Sequence, residues 1–150
     1  MRLLIQRVTT ASVTVAGEQI ACIDNGLLAL LGIAHGDNED VARWLADKML
    51  GLRIFPDEKD TNKNMNRSVL DISGELLVVS QFTLTADVQK GKRPSFTTSA
   101  TPDVAESLYN YFVDYLAQRV PTQTGRFGAD MQVALVNDGP ATFLLERNVS

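Results

Sequence analysis

The most constraining feature of the sequence is the run from Leu27 to Ile33, which is apolar at almost every position. A short run of this kind, preceded by the turn signal Asp24-Asn25-Gly26, predicts a β-strand that is covered on both faces. The segment from Glu75 to Leu84 predicts another apolar strand. Looser alternation between Leu3 and Val15 predicts a further strand at the start of the chain.

Two segments predict helices. The first begins at the capping residues 37–40 and ends at Gly51, with a core face formed by Val41, Trp44, Leu45 and Met49. The second begins at Thr101-Pro102-Asp103, which places proline at the first helical position. Its apolar stripe is formed by Val104, Leu108, Tyr111, Phe112 and Tyr115. Between the helices, Leu52 to Phe55 predicts a short strand.

The pattern as a whole predicts an α+β fold. We expect a single domain spanning residues 1–150, with mostly antiparallel β-sheets in a barrel-like, layered arrangement and two helices packed on one face. No apolar run reaches the ~18 residues that a membrane helix needs, and Met1 to Arg7 is too polar for a secretory signal. We therefore expect a cytoplasmic protein with no membrane partner. Cys22, the single cysteine, is expected to be an inert thiol in the core.

Few side chains are available for catalysis. His35 is the only histidine, so any serine–histidine or metal–histidine mechanism depends on it. The clustered acids lie in helix-cap or loop positions, a pattern that suits solvation better than metal binding. No phosphate-binding loop or dinucleotide motif occurs. The sequence predicts no metal and no cofactor.

The segment Ser80-Gln81-Phe82-Thr83-Leu84 ends the second apolar strand. On a strand, Ser80 and Phe82 face one side while Gln81 and Thr83 face the other. Two hydroxyls and an amide could hold a polar ligand or stabilise an oxyanion, or the strand could simply become polar as it leaves the core. No base lies nearby in sequence, so neither Ser80 nor Thr83 is predicted to be an activated nucleophile.

A basic segment, Lys90-Gly91-Lys92-Arg93-Pro94-Ser95-Phe96, stands out in a chain of net charge −4. It is either a solvated loop or a phosphate contact for an RNA or nucleotide end.

Near the C-terminus, the segment Asn137-Asp138-Gly139-Pro140 interrupts two strand-like stretches. Asn-Asp-Gly alone predicts an ordinary hairpin turn. Pro140 has no N–H to donate where the returning strand should begin, which costs a ladder hydrogen bond. Either the turn tolerates the proline or the kink serves another purpose.

Taken together, these motifs resemble the D-aminoacyl-tRNA deacylase (D-tyrosyl-tRNA(Tyr) deacylase) family. The resemblance is carried by "MRLLIQRVTTASVTV" at the start, "SQFTL" with the basic segment after it, "GRFGADM" (Gly125 to Met131) and "NDGPAT". It covers essentially the whole chain. The loop from Asp57 to Arg67 departs from the family by being longer than its usual form.

The resemblance implies a homodimeric, cytoplasmic hydrolase that cleaves the ester between a D-amino acid and the 3′-terminal adenosine of tRNA. Its partners are then the 3′ end of aminoacyl-tRNA and a second copy of the chain, and mischarged glycyl-tRNA is a further substrate to consider. In such a family the terminal ribose 2′-OH assists hydrolysis. No cofactor is implied.

The resemblance also assigns residues. Ser80, Gln81, Phe82 and Thr83 line the substrate pocket with Phe96 and Phe127. Gln81 and Thr83 are the catalytic candidates, although Thr83 is not expected to be essential. Gly139-Pro140 forms a cis peptide that selects chirality in the partner's pocket, with Arg7, Asn137 and Thr142 in support. A rigid backbone wall at the substrate α-carbon leaves room for hydrogen but not for a side chain, so L-residues collide.

Two other functions remain open on the sequence. The first is a hydrolase of small esters that uses Ser80 with His35. The second is a non-enzymatic dimeric module that binds RNA or a protein through the loop from Lys90 to Phe96.

Overall fold

The 14-residue strand β1 (Arg2–Val15) organises the sheet. In the computed structural model, which describes residues 1–60, 62 and 64–150, β1 pairs along its length with the antiparallel strand β6 (Gln132–Glu146). On its other edge, the first half of β1 pairs with β3 (Gly26–Gly32) and the second half with β2 (Glu18–Ile23), both antiparallel. β1 therefore belongs to two parts of the sheet at once.

Beyond β3 the sheet is parallel. β3 pairs in parallel with β4 (Glu75–Ser80), which pairs in parallel with β5 (Thr122–Thr124) to complete a six-stranded mixed sheet. The sheet is therefore mixed: the three pairings of β1 are antiparallel, as expected for most of the sheet, and the two pairings of β4 are parallel. Each of its connections includes a helix, and a helical crossover returns the next strand in the same direction.

The two predicted helices are confirmed as α1 (Glu39–Gly51) and α2 (Pro102–Ala117). They pack on each other and share one core with a single face of the sheet. Within β3, Leu27, Ala29 and Leu31 contribute to this core, whereas Leu28 contributes to a second one. The prediction of a strand covered on both faces is therefore confirmed, as is the α+β class.

The second core lies on the far face of the sheet. It is formed by side chains of four strands, namely Val8, Ala11, Val13, Ala21, Ile23, Leu28, Leu77 and Val79. The second half of β1 and its partner β2 thus curl over β3 and β4, which gives the sheet a nearly barrel-shaped form.

The buried faces of both helices differ from the predicted ones. Trp44 is 39% exposed, and its ring lies under the guanidinium of Arg147 at 4.7 Å. Val104 is also exposed, whereas Tyr109, which was not predicted, is buried on α2. Tyr111 and Tyr115 are half-buried and pack against the core. On each helix the buried stripe follows the contact with the sheet and the other helix, and Trp44 and Val104 lie outside it.

Two local predictions also need correction. Cys22 is exposed rather than in the core, because Ala21 and Ile23 face inward on β2 and the residue between them faces outward. Leu52 to Phe55 is not a strand; only Phe55 pairs, in an isolated bridge with Arg67. In the long loop between these two residues, Thr61 and Lys63 lie outside the described residues.

Across the described residues, neither helix has the length and apolar character needed to cross a membrane.

Candidate active site

A pocket of about 450 Å³ lies where β4 ends. Four of the predicted site residues line it: Ser80, Gln81, Phe82 and Phe127. Its deeper wall is apolar and includes Ile33, Val79 and Val133. The two remaining predicted pocket residues, Thr83 and Phe96, lie next to the lining residues.

The "SQFTL" segment bends instead of continuing as a strand. β4 ends at Ser80, and residues Phe82–Thr85 form a 3₁₀ helix. The N–H of Gln81 donates to the carbonyl of Leu31 at 2.8 Å, and Arg2 Nη1 donates to the carbonyl of Leu84 at 2.8 Å. The alternation predicted for a strand is therefore wrong, and Ser80, Gln81 and Phe82 all face the same pocket.

No activated nucleophile lies at the pocket within the described part of the chain. Thr83 is exposed, and its hydroxyl accepts a hydrogen bond from Gln81 Nε2. His35 is exposed and does not line the pocket; its backbone N–H donates to the carbonyl of Thr98 at 2.8 Å. None of the hydrogen bonds among the described residues joins His35 to Ser80. This geometry disfavours the serine–histidine hydrolase.

The opposite wall of the pocket is built by the segment from Gly125 to Met131. The N–H of Arg126 donates to Met131 Sδ at 3.4 Å, and a Cβ on Gly125 would lie only 2.7 Å from the same sulfur. Phe127 packs on the ring of Tyr109 with centroids 5.9 Å apart. Met131 and Gly125 therefore fix the turn that presents Phe127.

Tyr109 supports this wall from below. Its hydroxyl donates to the carbonyl of Val78 at 2.8 Å, and the residue is 4% exposed. Burial raises the pKa of Tyr109 to about 12, so the phenol stays a neutral donor even above pH 10. Sequence analysis missed Tyr109, although it lies one position from a residue of the predicted stripe. It also missed Pro102 and Ala105, which bring the start of α2 to the pocket.

The other predicted site residues form a separate group on β1 and β6. Arg7, Asn137, Gly139, Pro140 and Thr142 do not line the pocket of this chain. The group surrounds a bulge within β6, not a hairpin turn. Gln6 pairs with Thr142 and Val8 pairs with Asn137, so a step of two residues on β1 is matched by a step of five on β6. The predicted pair of strands is thus one continuous strand, because β1 pairs with it on both sides of the bulge.

Arg7 and Asn137 hold the bulge in place. Arg7 is buried, and it donates from Nε to the carbonyl of Asp138 at 3.0 Å and from Nη1 to the carbonyl of Ile54 at 2.7 Å. Asn137 Nδ2 donates to the carbonyls of Arg7 and Ala141, while its Oδ1 accepts from the N–H of Ala141 at 3.1 Å. Thr142, just beyond, accepts a hydrogen bond from Gln6 Nε2.

Gly139 is the residue of the bulge that least tolerates a side chain. Its φ is +128°, and a Cβ built on it would lie 2.7 Å from Arg7 Nη2. The peptide bond between Gly139 and Pro140 is cis. The two halves of the predicted site thus lie apart: the pocket at the end of β4, and a glycine–proline bulge braced by Arg7.

A family model described as D-Tyr-tRNA(Tyr) deacylase matches residues 4–146. The chain belongs to this family. Membership makes it an enzyme of the hydrolase class. Among the described residues, no group of three or more histidines, cysteines or acids is placed to hold a metal ion.

Relatives of nearly the same length support the assignment. A D-aminoacyl-tRNA deacylase from Exiguobacterium sp. is 53% identical over 149 residues, covering 99% of both chains. Another, from Idiomarina loihiensis, is 56% identical over 144 residues, covering 95% of this chain and 97% of its own.

Two solved structures share the fold of the chain. One described as "c-Myc DNA Unwinding Element Binding Protein" has a TM-score of 0.93 at 43% identity, covering 99% of this chain and all of its own. A probable eukaryotic D-amino acid tRNA deacylase shares the fold, with a TM-score of 0.82 at 16% identity over 96% of this chain and 97% of its own.

Proposed function

We propose that this chain hydrolyses the ester that joins a D-amino acid to the 3′-terminal adenosine of tRNA, releasing free D-amino acid and tRNA. The observation that carries the proposal is the near full-length similarity, at 53–56% identity, to relatives named D-aminoacyl-tRNA deacylase. The pocket fits an aminoacyl ester, since it has an apolar wall and polar groups from Ser80 and Gln81 at one end.

The chemistry relies on positioning. An aminoacyl ester with a vicinal hydroxyl is already reactive, so a pocket that orients it removes much of the entropic barrier. Water adds to the ester carbonyl with assistance from the terminal ribose 2′-OH, the bond to the 3′-oxygen breaks, and that oxygen takes up a proton. This scheme needs no side-chain nucleophile and no cofactor, in keeping with the exposed Thr83 and with a His35 that does not line the pocket.

Chirality is read by the bulge at Gly139 and Pro140, acting in the pocket of a second copy. The support is geometric: the bulge lies outside this chain's own pocket, and Arg7 stiffens it through the carbonyl of Asp138. Rigid backbone against the substrate α-carbon excludes an L side chain while a D side chain points away. Discrimination then rests on handedness, and glycyl-tRNA, which has no side chain to exclude, is a further substrate.

Homodimer formation is part of this proposal. Among the described strands β6 pairs with β1 alone, which leaves one edge of a 15-residue strand unpaired. Val136 and Leu144 on the same strand are exposed. A long unpaired edge with apolar side chains favours pairing with another chain. We place the reaction in the cytoplasm, where charged tRNA is used.

The test is deacylation of matched D- and L-tyrosyl-tRNA by the purified protein. We expect the D-substrate to be hydrolysed far faster, and His35→Ala to retain this activity. Loss of activity in a folded His35→Ala protein would favour the serine–histidine hydrolase. Binding of charged tRNA without turnover would favour the non-enzymatic RNA-binding module.

A further inference from the structure

Two phenylalanines lie exposed side by side at the mouth of the pocket. Phe82 is 58% exposed and Phe96 is 41% exposed, and their ring centroids are 5.1 Å apart. Phe82 also lines the pocket, so the two rings continue its wall outward. We call this pair the aromatic platform. Large aromatic rings left in solvent on a folded chain indicate a binding surface more often than scattered single apolar residues do.

The platform is held rigidly from beneath. Thr85, which is buried, donates from its hydroxyl to the carbonyl of Phe82 at 2.7 Å and shares a further hydrogen bond with the hydroxyl of Ser99. Thr98 Oγ1 donates to the carbonyl of Thr85 at 2.7 Å. These bonds tie the segment that carries Phe82 to the segment that carries Phe96. The relative placement of the rings is therefore set before any ligand binds.

A basic loop projects beside the platform. It leaves at Asp87 and returns at Ser95, which exchange backbone hydrogen bonds of 2.8 and 2.9 Å. Its exposed tip carries Lys90, Lys92 and Arg93. Among the ion pairs of the described residues, none involves these three cations. The one acid of the loop stem, Asp87, accepts a hydrogen bond from the N–H of Gln89.

We propose that the aromatic platform and the basic loop bind the unpaired nucleotides that precede the terminal adenosine of tRNA. The inference rests on the proposed deacylase function, which places the terminal adenosine in the pocket. Proteins that bind single-stranded RNA combine rings on which bases stack with cations that follow the phosphates. This surface supplies both the rings and the cations. The chain as a whole has a net charge of −4, so its overall charge gives it no general affinity for nucleic acid.

The arrangement would let one pocket accept tRNAs of different sequence. Stacking accepts every base because each has a π-face, and phosphate contacts carry no sequence information. Because the two rings are inclined at 52° to each other, one base would stack on one ring, with the second ring against its edge or under the next base. The phosphates between these bases would pass the loop tip. The platform thereby positions the ester without reading the identity of the tRNA body.

The first experiment compares two substrates: D-tyrosyl-tRNA and adenosine carrying D-tyrosine on its 3′-oxygen. Phe96→Leu should lower kcat/KM for the tRNA by roughly 5- to 100-fold, the range expected for losing one base stack, with a smaller loss on the adenosine ester. Phe96→Tyr keeps the ring and should behave like wild type. If Phe96→Leu lowers both substrates equally, the platform does not bind preceding nucleotides.

The second experiment needs no catalysis and so separates this inference from the proposed function. The affinity for a fluorescently labelled RNA tetranucleotide that ends in adenosine and carries no amino acid is measured at increasing KCl concentration. Lys92→Gln should reduce the slope of log affinity against log salt by ~0.7, and a triple change at Lys90, Lys92 and Arg93 by ~2. The control Lys48→Gln, on α1, should leave the slope unchanged.

Unaltered slopes in the loop variants would overturn the inference even if the enzyme is active. Conversely, normal slope changes with no hydrolysis of either substrate by the wild type would retain the binding surface and reject the deacylase function.

Discussion

At Gly139 the backbone has a φ of +128°, and Arg7 Nη2 occupies the space where a Cβ would lie. We predict that Gly139→Ala lowers the ratio of D- to L-aminoacyl-tRNA hydrolysis by about tenfold or more, since each ~1.4 kcal/mol of lost discrimination is a tenfold loss. Under the proposed arrangement, the methyl group either enters the pocket of the second copy or displaces Arg7 and moves the bulge. The measurement is kcat/KM for D-, L- and glycyl-tRNA.

The same substitution should lower the free energy of unfolding by about 1–3 kcal/mol, because an alanine is strained in this conformation. Gly17→Ala is the matched control: Gly17 also has positive φ, +79°, but nothing lies within 4 Å of its Cβ position. It should cost stability without changing selectivity. If Gly139→Ala and Pro140→Ala both keep the wild-type preference for D-substrates, chirality is read elsewhere.

A second prediction concerns Thr83. Its hydroxyl is exposed and accepts a hydrogen bond from Gln81, with no base beside it. Thr83→Ala should therefore keep most of its deacylase activity. Replacing the 2′-OH of the terminal adenosine by hydrogen should cost about 10²-fold or more, the usual value of a positioned proton-transfer group. A folded, tRNA-binding Thr83→Ala protein with no turnover would instead identify a threonine nucleophile.

Individual residues were predictable where their chemistry is unusual in any context. Pro140 is unusual in a strand because a proline has no N–H to donate. The segment "SQFTL" is unusual because hydroxyls and an amide end an apolar run. Arg7 could be placed only by resemblance. Its hydrogen-bond partners, the carbonyls of Ile54 and Asp138, lie 47 and 131 residues away in sequence, so no local pattern indicates them.

Among the elements, the buried strands and both helices were predictable, whereas the bulge in β6 was not. These elements have local signals in the sequence: an apolar run such as Leu27 to Ile33, or a helix cap such as Asn38. The side chain of Asn38 accepts a hydrogen bond from the N–H of Val41. The sequence Asn-Asp-Gly is as compatible with a hairpin turn as it is with a bulge. The difference depends on β1, which pairs with both flanking parts of β6 and keeps them in one direction.

Helix α2 gives a test at this scale, because Tyr109 fastens it to β4. Tyr109→Phe removes the hydrogen bond to the carbonyl of Val78 and should lower the free energy of unfolding by about 1 kcal/mol. Tyr111→Phe is the matched control, since the Tyr111 hydroxyl only accepts from Arg43 in an exposed setting. Urea unfolding measures both variants. Equal losses in the two would show that the buried bond contributes nothing specific.

The same residue predicts a pH dependence. The pKa of Tyr109 is raised from 10.0 to about 12, so the folded state disfavours the phenolate that the unfolded chain forms readily. This contribution to stability is fully present below pH 10 and is lost as pH rises from 10 towards 12. Wild type should therefore lose more stability than Tyr109→Phe across that interval. Ultraviolet titration of the phenolate, wild type against variant, locates the pKa directly.

At the scale of the whole molecule, a single chain carries a pocket and a bulge that do not meet. Sequence patterns describe one chain and cannot show which of its surfaces contacts a second copy. The dimer was therefore expected only from the family resemblance. The unpaired edge of β6 and the exposed Val136 and Leu144 give that expectation a physical basis.

Complementation between subunits tests this arrangement. One protein carries Gly139→Ala with an intact pocket, and the other carries Phe127→Ala with an intact bulge. If each bulge completes the partner's pocket, every heterodimer regains one normal site, and random exchange of equal amounts restores about a quarter of all sites. If each bulge serves its own chain, no normal site forms. The measurement is the D-over-L ratio before and after subunit exchange, with exchange verified by mass spectrometry of differently tagged chains.

The control places both substitutions in one chain and mixes it with wild type. If each bulge completes the partner's pocket, neither site of that heterodimer is normal. Normal sites should then fall to about a quarter of all sites, those of the remaining wild-type homodimers, and D-selective activity should fall with them. If each bulge serves its own chain, half of all sites would stay normal. A site shared between subunits thus predicts a gain where the substitutions are on separate chains and a loss where they share one, whereas a site within one chain predicts no change in either mixture. Extensive exchange without either change would reject a site shared between subunits.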